Sequence, residues 1–330
     1  MSDERIFDPE LGEEETKKEV LLRPKDFTEY IGQKKIVQNI DVMVNSAVKR
    51  NQSMDHALLS GPPGLGKTSL AMIIANALGS HLHVISGPAI EKKGDLAAIL
   101  TNLEARDVLF IDEIHRMHIS VEEILYSAME DYRLDIVIGD GAAARTMQID
   151  IAPFTLIGAT TRSGLLSNPL RDRFMAHFHF DFYQPEELAK IISNNAKKLS
   201  LGIDEDAELL MARCSRGTPR IANRILRRVR DFAIVRDSSH VNINDVMKSL
   251  EMMEIDERGL DRMDRRILKV IQEYYGGGPV GIEALCATLA EDRSTIEDVY
   301  EPFLLKEGFL IRTPRGREIS QIAKELINEK

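Results

Sequence analysis

His56-Ala-Leu-Leu-Ser-Gly61-Pro-Pro-Gly64-Leu-Gly66-Lys67-Thr68-Ser69-Leu-Ala71-Met-Ile-Ile runs from a short apolar strand through a glycine-rich turn into a helix with an apolar face. The glycines let the backbone point successive N–H groups inward, and the following helix offers its positive end to the same anion. This is the spacing of a phosphate-binding loop, with Lys67 placed for the β- and γ-phosphates and Thr68 for Mg²⁺. A plain turn joining strand to helix would need neither residue.

A phosphate site becomes an ATPase only if something positions the metal and the attacking water. Val108-Leu-Phe-Ile111 reads as a strand buried on both faces of a parallel sheet, and it ends in Asp112-Glu113. Asp112 is expected to hold Mg²⁺, and Glu113 to polarise the water that attacks the γ-phosphate. Further strand candidates at 82–86 and 155–162 alternate with amphipathic helices, which implies an α/β fold: a parallel sheet with helices on both faces. The 82–86 strand is expected to be buried. His81 and His83 lack Cys or carboxylate partners at ligand spacing and read as strand neighbours, not metal ligands.

The phosphate loop together with Asp112-Glu113-Ile-His115-Arg116 resembles the AAA+ ATPases. Arg23-Pro24, Tyr30-Ile-Gly32-Gln33, Ala159-Thr160-Thr161-Arg162, Pro169-Leu-Arg171-Asp-Arg173-Phe174 and Gly217-Thr-Pro219-Arg220-Ile-Ala-Asn223-Arg224 look, in order and spacing, like the RuvB family within them, the bacterial Holliday-junction branch-migration motors. The resemblance covers the chain from about Val20 onward. It implies a large P-loop AAA+ domain at 21–184, a small helical lid at 185–255 and a C-terminal winged-helix domain at 256–330. It also implies ATP and Mg²⁺ as cofactors, a homohexameric ring, Holliday junction or duplex DNA bound without sequence specificity, a RuvA-type junction-binding partner and a RuvC-type resolvase in the same complex.

The same resemblance assigns roles. Thr161 senses the γ-phosphate or positions water, Arg173 is an arginine finger reaching the nucleotide of the neighbouring subunit, and Arg220 is the second sensor. Leu22, Arg23, Gly64, Gly66, Lys67, Thr68, Ser69, Glu130, Asp131, Tyr132 and Tyr183 complete the nucleotide contacts. One departure stands out: Met175-Ala-His177 follows Phe174 where these proteins typically have a glycine, which puts the local backbone path in question.

Between the helix at 121–129 and the next strand, Leu134-Asp-Ile136-Val-Ile138-Gly139-Asp140-Gly141 and then Arg145-Thr-Met147-Gln-Ile149-Asp-Ile151 read as a hairpin. Neighbouring strand residues point to opposite faces, so Ile136, Val137 and Ile138 either complete the core or leave an apolar patch of the kind that marks a partner site. In the RuvB family this is where the RuvA-type partner docks.

Composition bounds these readings. The 330 residues, 43% of them hydrophobic, suffice for two or three packed domains. Nothing resembles a transmembrane span, and Met1-Ser-Asp-Glu-Arg lacks the basic start of a secretory signal, so a soluble cytoplasmic protein is expected. Residues 1–20, rich in Asp, Glu and Lys, read as a disordered lead. Cys214 and Cys286 are expected to be buried thiols without chemistry. A net charge of -10 excludes a surface coated in nucleic-acid-binding charge, so any DNA site must be a local basic feature.

From Gln184-Pro185 the pattern is wholly helical. Arg213, Arg216, Arg220, Arg224 and Arg227 recur every three or four residues, and most of that stripe is expected to be solvated or subunit-facing. After Asp256 come three helices and then Phe309-Leu-Ile311-Arg312-Thr-Pro314-Arg315-Gly316-Arg317, a strand and basic loop in winged-helix order. Glu297, Asp298 and Glu301 on the third helix would repel phosphates, which argues against base readout by that helix. By resemblance, Arg293, Arg312 and Arg317 are the DNA contacts. Two other AAA+ arrangements stay open here: an origin-binding switch of the Orc/Cdc6 kind, disfavoured by that acidic helix, and a clamp-loader subunit, which usually ends in a helical collar.

Overall fold

The structure, a computed structural model, describes residues 21–138 and 145–328. The lead at 1–20 and the hairpin tip Gly139-Asp140-Gly141 lie outside the described residues. The chain divides into two compact units, one holding the residues up to Gly61 and Gly66–Asp181, the other Pro62–Leu65 and Phe182 onward.

Among the described residues, the first unit is built on seven strands: β1 (Ala57–Ser60), β2 (Leu82–Ser86), β3 (Val108–Asp112), β4 (Arg133–Ile138), β5 (Arg145–Asp150), β6 (Thr155–Thr160) and β7 (Ala176–His179). Five of them form a parallel sheet in the order β2-β3-β6-β1-β7. Buried on both faces, β3 and β6 sit in the interior of the sheet, as their unbroken apolar runs require. The expectation that β2 is buried fails: it is an edge strand with one neighbour, and Val84 is 58% exposed. His83 also has a partner that spacing did not reveal, its Nε2 lying 2.9 Å from an Asp107 carboxylate oxygen. The edge strand β7 was not foreseen, because its alternation sets His177 and His179 on the exposed positions against only Ala176 and Phe178 on the half-buried ones.

Helix Lys34–Arg50 buries Ile36, Ile40, Val44 and Ala47. Val48, which continues the apolar spacing, is 47% exposed, since twelve residues at 100° each carry it well off the line of Ile36. Helices Lys93–Thr101 and Ile119–Glu130 pack Leu96, Leu100, Val121 and Leu125 against Leu109, Ile111 and Phe154. The hairpin forms as read: β4 and β5 are antiparallel from Arg133↔Asp150 to Ile138↔Arg145. The side chains of residues 136–146, including the apolar run Ile136-Val137-Ile138, lie outside those described.

In the second unit, four helices (Pro185–Lys198, Glu205–Arg213, Pro219–Val235 and Ile243–Met252) make the lid, with β8 (Gly202–Ile203) and β9 (His240–Val241) paired beside them. Pro185 opens the first helix within a Gln184–Glu187 capping box. A separate core assembles Arg262–Tyr275, Ile282–Leu289 and a third helix over residues 293–306. That third helix loosens to a π turn at Ile296–Tyr300 just before Pro302, which has no N–H to donate to the preceding turn. The wing is β10 (Leu310–Thr313) paired antiparallel with β11 (Gly316–Ile319), followed by helix Gln321–Asn328. Both cysteines are buried free thiols, and burial pushes Cys214 up to about 12. Among the described residues, no helix is long and apolar enough to cross a membrane.

Arg216 departs from the expected solvated stripe. Its guanidinium is buried, 2.6 Å from Asp261 and 2.5 Å from Asp264 of the winged-helix domain, and Nε donates to the Gly259 carbonyl at 2.9 Å. Burial pushes the Asp264 carboxyl up from 3.8 to about 7, with the Asp261 charge adding to the rise and Arg216 opposing it. Partial burial of Asp261 acts upward too, but Arg216 and neighbouring N–H donors outweigh it and hold that carboxyl low. Because the folded-state value of Asp264 lies above its ordinary one, its contribution to stability is complete below 3.8 and fades as pH rises through about 7. Melting temperatures measured between roughly pH 5.5 and 8.5 should therefore decline more steeply in wild type than in Asp264→Asn. Parallel profiles would exclude that origin for the pH dependence.

Candidate nucleotide site and nucleic-acid face

Parallel strands deliver their C-terminal ends to one edge of a sheet, and ligands bind there. In the first unit, β1 ends at Ser60 and leads into Gly61, the adjacent β6 ends at Thr160 just before Thr161, and the next strand, β3, ends at Asp112 just before Glu113. The Gly61 N–H donates to the Thr160 carbonyl at 3.1 Å, which fixes the start of the loop against β6. Gly61 has φ +136°, and a Cβ there would lie 2.7 Å from the Phe180 carbonyl oxygen, so only glycine fits. Lys67 is almost wholly buried, its Nζ donating to the Gly61 carbonyl at 2.7 Å. Gly66, at φ +96°, caps helix Lys67–Leu78 without a side-chain acceptor, which leaves the first-turn N–H groups beside Thr68 and Ser69 oriented toward an incoming anion.

Glu113 itself sits at φ +50°, a left-handed conformation that a side chain adopts only under constraint. Its carboxylate accepts from Thr161 Oγ1 at 3.3 Å and lies 3.2 Å from His115 Nδ1. The same His115 nitrogen is 2.9 Å from Thr160 Oγ1. His115 is thus a site residue that sequence reading quoted only as part of a motif; its place two residues after Glu113 was the signal. Asp112 accepts the Glu113 N–H at 3.0 Å. Thr68 and Asp112 offer hard oxygen donors of the type Mg²⁺ takes. Among the described residues no group of three or more His, Cys, Asp or Glu is arranged to hold a metal.

Six more of the expected nucleotide residues belong to this unit, and each has its own surroundings. Arg173 Nη2 pairs with the Glu130 carboxylate at 3.1 Å, Nη1 donates to the Pro169 carbonyl at 2.7 Å, and the guanidinium stands 4.5 Å over the Tyr126 ring. Asp131 is exposed, while Tyr132 packs edge-on to Phe154 with centroids 6.1 Å apart. Leu22 is buried, and Arg23 Nη1 reaches the Met72 sulfur at 3.3 Å. At the departure after Phe174, Met175 is 77% exposed and is not among the described residues with left-handed backbone, so the position does not require a glycine.

In the second unit, which includes Pro62–Leu65, the Arg220 N–H donates to the Gly64 carbonyl at 3.3 Å and the Tyr183 hydroxyl to the Leu65 carbonyl at 3.3 Å. The winged-helix arginines converge on one carboxylate. Glu297 accepts from Arg293 Nε at 3.0 Å and Arg317 Nη2 at 2.9 Å, with Arg312 Nη2 3.8 Å away. Arg317 also holds Glu301, 3.1 Å from Nη2 to Oε2, and its side chain is 7% exposed, so it is an internal post of the wing. Arg293 and Arg312 are exposed. The argument from an acidic third helix needs correcting: Glu297 and Glu301 are enclosed by arginines and do not face solvent as bare charges. Partial burial would raise the Glu297 carboxyl, but Arg293 and Arg317 hold it below its usual value.

Comparison with known proteins follows these three parts. The family model described as the Holliday junction DNA helicase RuvB P-loop domain matches residues 22–180, the RuvB AAA lid domain matches 183–256, and the RuvB C-terminal winged helix domain matches 257–328. The Holliday junction branch migration complex subunit RuvB of Myxococcus xanthus is 57% identical over 304 residues, covering 92% of this chain and 89% of its own. That of Nitratiruptor sp. is 55% identical over 314 residues, covering 95% of this chain and 93% of its own. The solved structure of the Thermotoga maritima RuvB Holliday junction branch migration motor is 50% identical with a TM-score of 0.86, over 93% of this chain and 98% of that one. With the phosphate loop, lid and winged helix all matched in order and more than half of the residues shared with curated relatives, the chain belongs to the RuvB family of P-loop ATPases.

Proposed function

We propose that this protein is the ATP-driven motor of Holliday junction branch migration, acting in the cytoplasm as a homohexameric ring in recombination and DNA repair. The observation that carries the reading is the single sheet edge where β1, β6 and β3 lead into the loop before Lys67, into Thr161 and into Asp112-Glu113. Mg²⁺, held by Thr68 and Asp112 with phosphate and water, would neutralise the charge that develops on the phosphates. Glu113, steadied by Thr161 and His115, orients and deprotonates the attacking water. Lys67 exchanges the Gly61 carbonyl for phosphate oxygens. Leu22, Arg23, Ser69, Glu130, Asp131, Tyr132, Tyr183 and Arg220 are the proposed surroundings of the nucleotide, and Arg173 leaves Glu130 to reach the nucleotide of the neighbouring subunit.

On the DNA side, Arg293 and Arg312 meet phosphates from the surface, and Arg317 contributes by anchoring Glu297 beneath them. None of these contacts reads a base. Arg312→Ala should weaken binding equally on unrelated duplex sequences and flatten the salt dependence by about one counterion per engaged subunit. A loss confined to one sequence, measured by salt titration on several duplexes, would contradict backbone binding. The hairpin β4–β5 is the proposed dock for a RuvA-type partner, with a RuvC-type resolvase in the same complex.

The function is tested by incubating the protein with ATP, Mg²⁺, a synthetic four-way junction and a RuvA-type partner. Partner-stimulated, ATP-dependent dissociation of the junction into duplex arms is expected. Tight binding without strand movement would favour an ATP-controlled binding switch.

A further inference from the structure

Residues 214–220 make contacts in two directions. Toward the phosphate loop, the Arg220 N–H donates to Gly64, and the Gly217 carbonyl accepts the Tyr183 N–H at 2.9 Å. Toward the winged-helix domain, Arg216 holds Asp261, Asp264 and the Gly259 carbonyl, with its guanidinium 4.9 Å from the centre of the Phe303 ring. Arg216 adopts φ +55°, where a Cβ is strained and glycine is not, directly before Gly217 at φ +74°. In that conformation the Arg216 guanidinium is buried with its Nη2 against both carboxylates and its Nε on the carbonyl. A lysine, with one compact ammonium in place of a planar fork, cannot serve both carboxylates and the carbonyl together.

We propose that Arg216 is a positioning residue that ties the nucleotide-sensing turn to the winged-helix domain, so that a shift of the turn is passed to the DNA-gripping wing. The proposal rests on the motor function and names the part that transmits its stroke. Remove the tie and the ATPase site and the DNA contacts both survive, but each hydrolysis moves less DNA.

The test compares wild type, Arg216→Lys and Asp261→Asn in three readouts: ATP hydrolysis, duplex affinity, and junctions dissociated per ATP hydrolysed. Arg216→Lys should keep hydrolysis and duplex affinity within about threefold while junctions dissociated per ATP fall about tenfold, with Asp261→Asn between it and wild type. An unchanged ratio in both variants, or hydrolysis or duplex affinity falling in step with the ratio, would overturn the proposal. If Arg216→Lys does not fold, Asp261→Asn decides alone, since it keeps the buried Arg216–Asp264 pair. Wild-type protein that hydrolyses ATP yet moves no junction would instead overturn the function on which the proposal rests.

Discussion

Glu113→Gln should bind ATP as well as wild type and hydrolyse it roughly 10²–10⁴ times more slowly, the usual cost of losing a general base. The substitution keeps size and hydrogen bonding to Thr161, so the loop geometry has no reason to change. What it removes is the group that takes a proton from water at the end of β3. Binding should survive because the phosphates are held by the loop and Lys67, neither of which depends on the Glu113 charge. Single-turnover hydrolysis measured beside equilibrium nucleotide binding separates the two effects. Turnover within a few-fold of wild type would refute the base assignment.

Arg173→Ala should lose hydrolysis by roughly 10³–10⁵-fold, about 4–7 kcal/mol of transition-state stabilisation, with ATP binding retained. Within its own chain Arg173 rests on Glu130 and the Pro169 carbonyl, above the Tyr126 ring. Its side chain is only 22% exposed and the Glu130 side chain 58%, so the pair sits at the surface, where a phosphate can outbid a carboxylate already bathed in water. If Arg173 were merely a surface salt bridge, its removal would change stability by about 1 kcal/mol or less and leave hydrolysis intact. The two alternatives differ by several orders of magnitude in rate.

Much of the site was legible in the sequence because its residues are adjacent in the chain or end strands of unmistakable pattern. Lys67 and Thr68 follow their glycines directly, and Asp112-Glu113 terminates an apolar run that can be little other than a buried strand. Pairings between distant segments were not legible. Arg216 falls on a regular arginine stripe, and only the fold brings Asp261 and Asp264 around it. Glu297 read as a repulsive charge until the wing placed Arg317 and Arg312 against it. The edge strand β7 was hidden because its outer positions are histidines, which carry little strand signal. Position 175 called for a family glycine, yet its backbone accepts methionine, a matter of conformation that residue type alone does not decide.

Whether neighbouring subunits share each catalytic site is measured most directly by mixing two inactive proteins. Lys67→Ala subunits lack the phosphate lysine but still carry Arg173, while Arg173→Ala subunits keep an intact phosphate loop. If the ring works as proposed, ATP hydrolysis absent from either protein alone returns when the two are combined, passing through a maximum as their ratio is varied. Hydrolysis that stays absent at every ratio, although mixed rings form, would contradict an arginine finger acting between subunits.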